Sequence, residues 1–328
     1  MNKETMLCTG GVGMIGSALV NRLCEQGKKV LVIDDLSRGK QEFLHPQAEL
    51  LIRDLQENTW QDFTDNFQLH YGRFSACLHL ACKIGGVNYM LSNELASHKN
   101  AAIDWNVLSY CAERKIPLLY CSTACTYSVH VQTAEADHPP LKENEALQNT
   151  APESIYGYCK LVGELTVARH AKESGLSWKV VRMFNVFGPR EVPNPQTGHV
   201  IPALIYKCLK EPGDLEVWGT GQQFRSFLYV DDAADGILAV MDKGLPGRPY
   251  NLGWPERVTI KELAEMVVKA TETNKKLWYN LDRPMGVFGR TADISRVKAE
   301  VGWEPKTDLY SGIVKTVEWC KEWMQQNI

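Results

Sequence analysis

No stretch of this 328-residue chain stays apolar for long. Runs such as Val30 to Ile33 and Ile237 to Met241 fall far below the roughly 20 residues that span a bilayer, so no membrane partner is expected. Neither sign of charge dominates: 36 basic side chains against 39 acidic ones leave a net charge of -3, which argues against a dedicated nucleic-acid binder. Internal repeats and low-complexity linkers are missing, and Met1-Asn2-Lys3-Glu4 has no basic segment leading into an apolar one, so no secretory signal is expected. No CxxC pair occurs, and Cys121/Cys125 is not followed by a second pair at zinc spacing, so no metal site is expected. Cysteine itself is plentiful. The ten residues lie mostly singly inside apolar segments, the pattern of reduced, buried thiols in a reducing cytoplasm.

What is present is ordinary globular material. The chain is 44% hydrophobic and 23% charged, which excludes disorder as a description of the whole, and its length suits about two domains. In the first half, short apolar runs alternate with amphipathic stretches. Strands are predicted at Thr5–Thr9, Lys29–Ile33, Leu50–Arg53, Ala76–Leu80 and Pro117–Ser122, and helices at Met14–Gln26, near Gln56–Gln68 and within Glu94–Glu113. That alternation implies a doubly wound parallel sheet, with its ligand at the carboxyl ends of the strands. Beyond about residue 175 a strand is predicted at Trp178–Phe184, then Pro and Gly become frequent. Helices follow at Ile201–Leu209, Asp231–Met241, Ile260–Ala270 and Tyr310–Gln325. The expected division is a cofactor domain over 1–175, with returns to its sheet at about 176–186 and 226–250, and a smaller α/β lobe over 187–328.

Thr9-Gly10-Gly11-Val12-Gly13-Met14-Ile15-Gly16 follows the first strand and opens a helix. Gly10, Gly13 and Gly16 supply a tight turn, close backbone approach to a pyrophosphate, and close helix–strand packing; the helix N-terminus offers its unpaired N–H groups to the phosphates. Asp34 ends the second strand 18 residues after Gly16, where a carboxylate accepts hydrogen bonds from an adenosine ribose and repels a 2′-phosphate. The expected cofactor is therefore NAD. Asp54, after the third strand, is placed for the adenine edge. Tyr156 and Lys160 share a helix face at i, i+4. A phenol with a free pKa near 10 needs a neighbouring cation to serve as a base, and Lys160 is expected to lower it. Thr123, just past a strand, offers a hydroxyl to the same substrate oxygen.

The glycine motif, Leu78-His79-Leu80-Ala81, Ser122-Thr123-Ala124-Cys125-Thr126-Tyr127 and Tyr156-x-x-x-Lys160 together resemble the extended short-chain dehydrogenase/reductase family. Met183-Phe184-Asn185-Val186-Phe187-Gly188-Pro189 and Arg225-Ser226-Phe227-Leu228-Tyr229-Val230-Asp231-Asp232 resemble its nucleotide-sugar branch. The resemblance implies a catalytic Thr123, Tyr156 and Lys160. It also implies a cofactor site that adds Met14, Ile15, Leu55, Leu80, Ala81, Lys83 and Asn100 to the residues above, and a sugar-nucleotide site of Gly86, Asn185, Trp218, Arg225, Arg283 and Arg290. Guanidinium forks suit a diphosphate. It further implies a homodimer through Glu94–Glu113 and Ile155–Ser174.

Within that branch, His79-Leu80-Ala81-Cys82-Lys83-Ile84-Gly85-Gly86 and His199-Val200-Ile201-Pro202-Ala203-Leu204 are similar to stretches of the GDP-L-fucose synthases. Ala124-Cys125-Thr126-Tyr127 is similar to a strand end of both those enzymes and the GDP-mannose 3,5-epimerases. The chemistry can be stated from the side chains. A ketone at C4 acidifies the C–H bonds at C3 and C5, and inversion needs a base on one face and an acid on the other. Cys125 and His199, with free pKa values near 8.5 and 6.5, suit that pair at neutral pH. The expectation is an NAD-dependent epimerase of a GDP-mannose-type sugar inverting C3, C5 or both. The alternatives are a UDP-glucose/galactose-type 4-epimerase, and an epimerase-reductase like the fucose synthases. Asp34 disfavours the NADPH that the reductase needs. Ala124 and Cys125 stand where the 4,6-dehydratases and decarboxylases carry an Asp-Glu or Thr-Glu pair, which weighs against elimination and decarboxylation.

Overall fold

The computed structural model describes residues 5–133 and 139–327. Its centre is a seven-stranded parallel sheet: β1 (Thr5–Thr9), β2 (Lys29–Asp34), β3 (Glu49–Ile52), β4 (Phe74–His79), β5 (Leu118–Thr123), β6 (Trp178–Met183) and β7 (Pro249–Leu252), in the spatial order β7-β6-β5-β4-β1-β2-β3. The period-2 alternation of side chains divides each strand between two cores. Met6, Cys8, Val30, Val32, Leu78, Leu119, Cys121 and Val181 join one apolar cluster, while Leu7, Leu31, Ile33, Cys77, Leu118, Tyr120 and Val180 join the other. The sheet is thus buried on both faces, and its strands read as continuous apolar runs.

Eight helices matter for the site: α1 (Met14–Glu25), α2 (Trp60–Tyr71), α3 (Lys99–Glu113), α4 (Ile155–Ser174), α5 (Val200–Lys210), α6 (Val230–Lys243), α7 (Ile260–Thr271) and α8 (Leu309–Asn327). Their ends follow local chemistry. Ser154 caps α4 by accepting from the Gly157 amide, and Gly175, at φ +68°, ends it. Thr259 and Glu262 form a reciprocal capping box on α7. The helix expected near Gln56–Gln68 begins only at Trp60, because the Asp54 carboxylate binds the Gln56 amide at 2.9 Å and holds 54–57 in a turn. The stretch Glu94–Glu113 is split into a short helix, Glu94–Ser97, and α3.

The second half adds pairings whose partners are far apart in sequence. Leu215–Trp218 lies parallel to Leu277–Asn280. Phe224–Arg225 lies between Val258–Thr259, antiparallel, and Gly289–Arg290, parallel. These short ribbons carry Trp218, Arg225 and Arg290 toward the carboxyl ends of the main sheet. Among the described residues no helix is long and apolar enough to cross a membrane.

Candidate active site

A cavity of about 520 Å³ opens along the carboxyl ends of the strands, as expected for the switch region of a doubly wound sheet. Its wall includes Gly10, Gly13, Met14, Ile15 and Gly16 after β1, Asp34 at the end of β2, Asp54 and Leu55 after β3, and Leu80 and Ala81 after β4. The glycine turn is a cradle that side chains would fill. Gly10 has φ +70° and a Cβ there would stand 2.5 Å from the Ala81 amide nitrogen, while a Cβ on Gly16 would collide with the Gly10 carbonyl. Gly13 is the N-cap of α1 and makes no side-chain cap, so the helix's first N–H groups face the cavity. The Asp34 carboxylate is fixed by the amides of Val12 at 3.0 Å and Leu36 at 2.9 Å. Burial pushes its pKa above the usual carboxylate range against those two bonds. A backbone cradle at a helix N-terminus, with an oriented carboxylate at the next strand end, fits a dinucleotide.

Three residues expected at the cofactor have their polar groups engaged within the chain. Asn100 is absent from the wall; it clamps Lys83 instead, accepting from the Lys83 amide at 2.7 Å and donating to its carbonyl at 3.0 Å. Lys83 lines the cavity, but its ammonium is paired with Asp35. Asp54 lines the cavity with its carboxylate already bonded by the Gln56 amide group at 2.8 and 3.0 Å.

Thr123, at the end of β5, and Tyr156, in the first turn of α4, share the middle of the wall. Lys160 does not reach it. Its side chain is buried behind, with Nζ 3.3 Å from Asp104 Oδ1. Burial works against the ammonium, but Asp104 outweighs it and holds Lys160 above its ordinary range. Asp104 also accepts from Tyr120 and from His79 Nε2 at 3.0 Å. Since burial keeps His79 neutral, its Nδ1 accepts from the Thr9 hydroxyl at 2.6 Å. The expectation that Lys160 lowers the phenol is therefore corrected: its charge is balanced by Asp104. Burial first, then the neighbouring thiols Cys82 and Cys125, push Tyr156 well above 10, against a hydrogen bond from Thr123. Asp104 was missed because a lone acid in an amphipathic helix carries no signal of its partner.

Cys125 and His199 line the same cavity. Cys125 follows Thr123 in a single 3₁₀ turn, where the Thr123 hydroxyl accepts from its amide at 3.2 Å. Arg290 reaches it: Nη1 lies 3.4 Å from the sulfur, while Nε donates to Gln132 at 2.6 Å and Nη2 to Glu153 at 3.1 Å. His199 precedes α5 as its N-cap, and its Nδ1 is bonded to Glu191, another residue of the wall that sequence reasoning missed. Against burial, Glu191 raises the imidazole above its usual range.

The remaining expected sugar-nucleotide residues divide. Trp218, Arg225 and Asn185 are in the wall. Arg225 donates to the carbonyls of Phe224 at 2.7 Å, Phe288 at 3.0 Å and Val287 at 2.5 Å; burial and then Arg290 push its pKa down to about 9. Asn185, at φ +39°, is anchored by donating to the Ser226 carbonyl at 2.8 Å. Trp218 Nε1 donates to Glu216 at 3.0 Å, and Lys207 first among its partners holds Glu216 down at about 2 against burial. Arg283 is not in the wall; it is half exposed, 3.6 Å from Glu216 and beside the Trp218 ring. Gly86 lines the cavity, and because a Cβ there would collide with the Gly198 carbonyl, its lack of a side chain lets the segment after β4 close against the loop that carries His199. Among the described residues no group of His, Cys, Asp and Glu is placed to hold a metal.

The sequence model of the NAD dependent epimerase/dehydratase family matches residues 6–253. The chain is 28% identical over 318 residues, 95% of its length and 68% of the relative's, to UDP-glucuronic acid decarboxylase 1 of Arabidopsis thaliana. It is 28% identical over 331 residues, 97% of its length and 82% of the relative's, to GDP-mannose 3,5-epimerase of the same plant. The crystal structure of UDP-glucose 4-epimerase with UDP-glucose from Thermotoga maritima is similar at a TM-score of 0.86 and 27% identity, over 98% of this chain and 99% of that one.

Proposed function

The chain belongs to the NAD-dependent epimerase/dehydratase family, and from that premise we propose that it is an epimerase of a GDP-mannose-type nucleotide sugar, inverting C3, C5 or both through a transient 4-keto sugar. NAD is its cofactor. The glycine turn with Gly13, Met14, Ile15 and Gly16, together with Asp34, Asp54, Leu55, Leu80 and Ala81, would hold it. When bound, NAD supplies the hydride acceptor and donor for C4 and a positive ring beside Tyr156.

The chain's own part is proton movement. Tyr156 takes the proton of the C4 hydroxyl and gives it back, and Thr123 orients that oxygen. Lys160, balanced by Asp104, fixes the helix turn from which Tyr156 projects. Cys125 and His199 exchange protons at the carbons that the C4 ketone acidifies. Arg290 positions the Cys125 sulfur, so Asn185 and Arg225 are left to face the diphosphate and Trp218 the base. What carries the reading is the placement of a thiol and an imidazole on one cavity wall with Tyr156 and the glycine turn. The GDP-mannose sugar is supported by the Ala124-Cys125-Thr126-Tyr127 strand end and by the likeness to the plant GDP-mannose 3,5-epimerase.

The division into a cofactor domain over 1–175, joined by β6 and β7, and a sugar lobe over 187–328 belongs to the same reading, as does a homodimer. Ten free cysteines suit a reducing cytoplasm. A second reading, inversion at C4 alone, draws on the likeness to the Thermotoga enzyme. NMR of the sugar after incubation with GDP-mannose and NAD separates the two. A C3 or C5 epimer that vanishes with Cys125→Ser is the expected result, whereas a C4 epimer formed equally by Cys125→Ser moves the assignment to the second reading.

A further inference from the structure

The Glu191 side chain is 7% exposed and His199's is 40% exposed, so a buried carboxylate sits behind an imidazole that faces the cavity. One carboxylate oxygen, Oε1, accepts both from His199 Nδ1 and from the His199 amide at 3.3 Å. The other, Oε2, is buried with no hydrogen-bond partner among the described residues. Both hydrogen bonds of Glu191 thus go to His199, one to its ring and one to its backbone, and the ring bond is the one that would be lost if the imidazole turned away.

We propose that Glu191 is the positioning residue of His199: its carboxylate accepts Nδ1–H, fixes the ring's orientation and tautomer, and leaves Nε2 as the nitrogen that exchanges a proton with the sugar. This rests on the proposed reaction, which uses His199 at carbon. A carboxylate behind an imidazole also stabilises the imidazolium, as ordering groups do elsewhere. Here it has two opponents to overcome. His199 caps the N-terminus of α5, whose positive end disfavours a cation, and Arg38, in the loop after β2, acts on both residues. Cys320, on α8, is the other titratable group beside Glu191. Glu191 wins: it is held ionised below its ordinary range, against burial, chiefly by His199, and the imidazole is held above its own. With Nδ1–H engaged by Glu191, Nε2 is the nitrogen left for the sugar; in this reading His199 donates the proton at carbon and Cys125 accepts one.

The test is an NMR titration of the His199 imidazole in the full chain, assigned by the signal missing from His199→Asn. In the natural protein the midpoint is expected above 6.5. Glu191→Gln is expected to lower it by about one pH unit or more, and Glu191→Asp to restore it in part. The pH profile of deuterium uptake from D2O at C3 and C5 is expected to lose its high-pH side by the same amount in Glu191→Gln. An imidazole midpoint unchanged in Glu191→Gln, or an uptake profile that falls in height without moving, would overturn the assignment. No uptake in the natural protein at any pH would sink the proposed reaction, while the titration still decides whether Glu191 governs His199.

Discussion

Lys160 and Asp104 face each other across a 3.3 Å gap with both side chains buried, and neither reaches the cavity that Tyr156 lines. The relationship sets the charge of the site's floor. Lys160 is committed to a carboxylate that also holds Tyr120 and His79, so it secures the turn of α4 beneath Tyr156.

Removing one partner should cost far more than the pair itself contributes, because a buried charge is left uncompensated. Asp104→Asn is expected to destabilise the fold by about 3–5 kcal/mol in urea unfolding, and adding Lys160→Met should recover part of that loss. The pH dependence follows from the shifts. Asp104 is held low, so its contribution is present above the ordinary aspartate value and lost as pH falls through the lower folded value; Lys160 is held high, so its contribution is present at neutral pH and lost only as pH rises through the raised value. A double variant no more stable than Asp104→Asn would contradict this.

Asp34 offers a second test. Its carboxylate must be ionised to accept from a ribose, and burial raises its pKa. NAD affinity should therefore begin to fall, as the solution is acidified, at a higher pH than an ordinary aspartate would give. Asp34→Ala should weaken NAD on the order of tenfold or more by calorimetry. An affinity flat down to pH 4 would count against the assignment.

The assembly can be tested on α4. Ile155, Tyr158, Val162 and Leu165 lie at i, i+3, i+7 and i+10, so they share a face, and all four are exposed, Val162 at 60%. Trp105 is 70% exposed on α3, the helix that packs against α4. Sedimentation should find a dimer, and Val162→Glu a folded monomer, since a charge at an exposed position changes intrinsic stability by about 0.5 kcal/mol or less. A natural chain that sediments as a monomer would remove the dimer from the account.

The sheet and its glycine turn were legible because local patterning and core placement agree: β1, β2 and β5 carry apolar, buried centres, and the turn after β1 meets its helix directly. What stayed hidden depends on partners distant in sequence. Leu215–Trp218 pairs with Leu277–Asn280 across about sixty residues, and each stretch is only four residues long, too short for its pattern to mark a strand. Asp104 and Glu191 are single acids whose meaning comes only from the cations they meet in space. Arg283 and Arg290 look alike in sequence, yet the strand Gly289–Arg290 carries one into the wall, whereas Arg283, in the turn after Leu277–Asn280, stays outside beside Trp218.

The central claim is carbon acid–base chemistry by Cys125 and His199, and incubation with GDP-mannose and NAD in D2O tests it most directly. Deuterium at C3 or C5 of the recovered sugar, falling by roughly 10²-fold or more in Cys125→Ser or His199→Asn, is the predicted result. An epimerised sugar without deuterium at either carbon would contradict it.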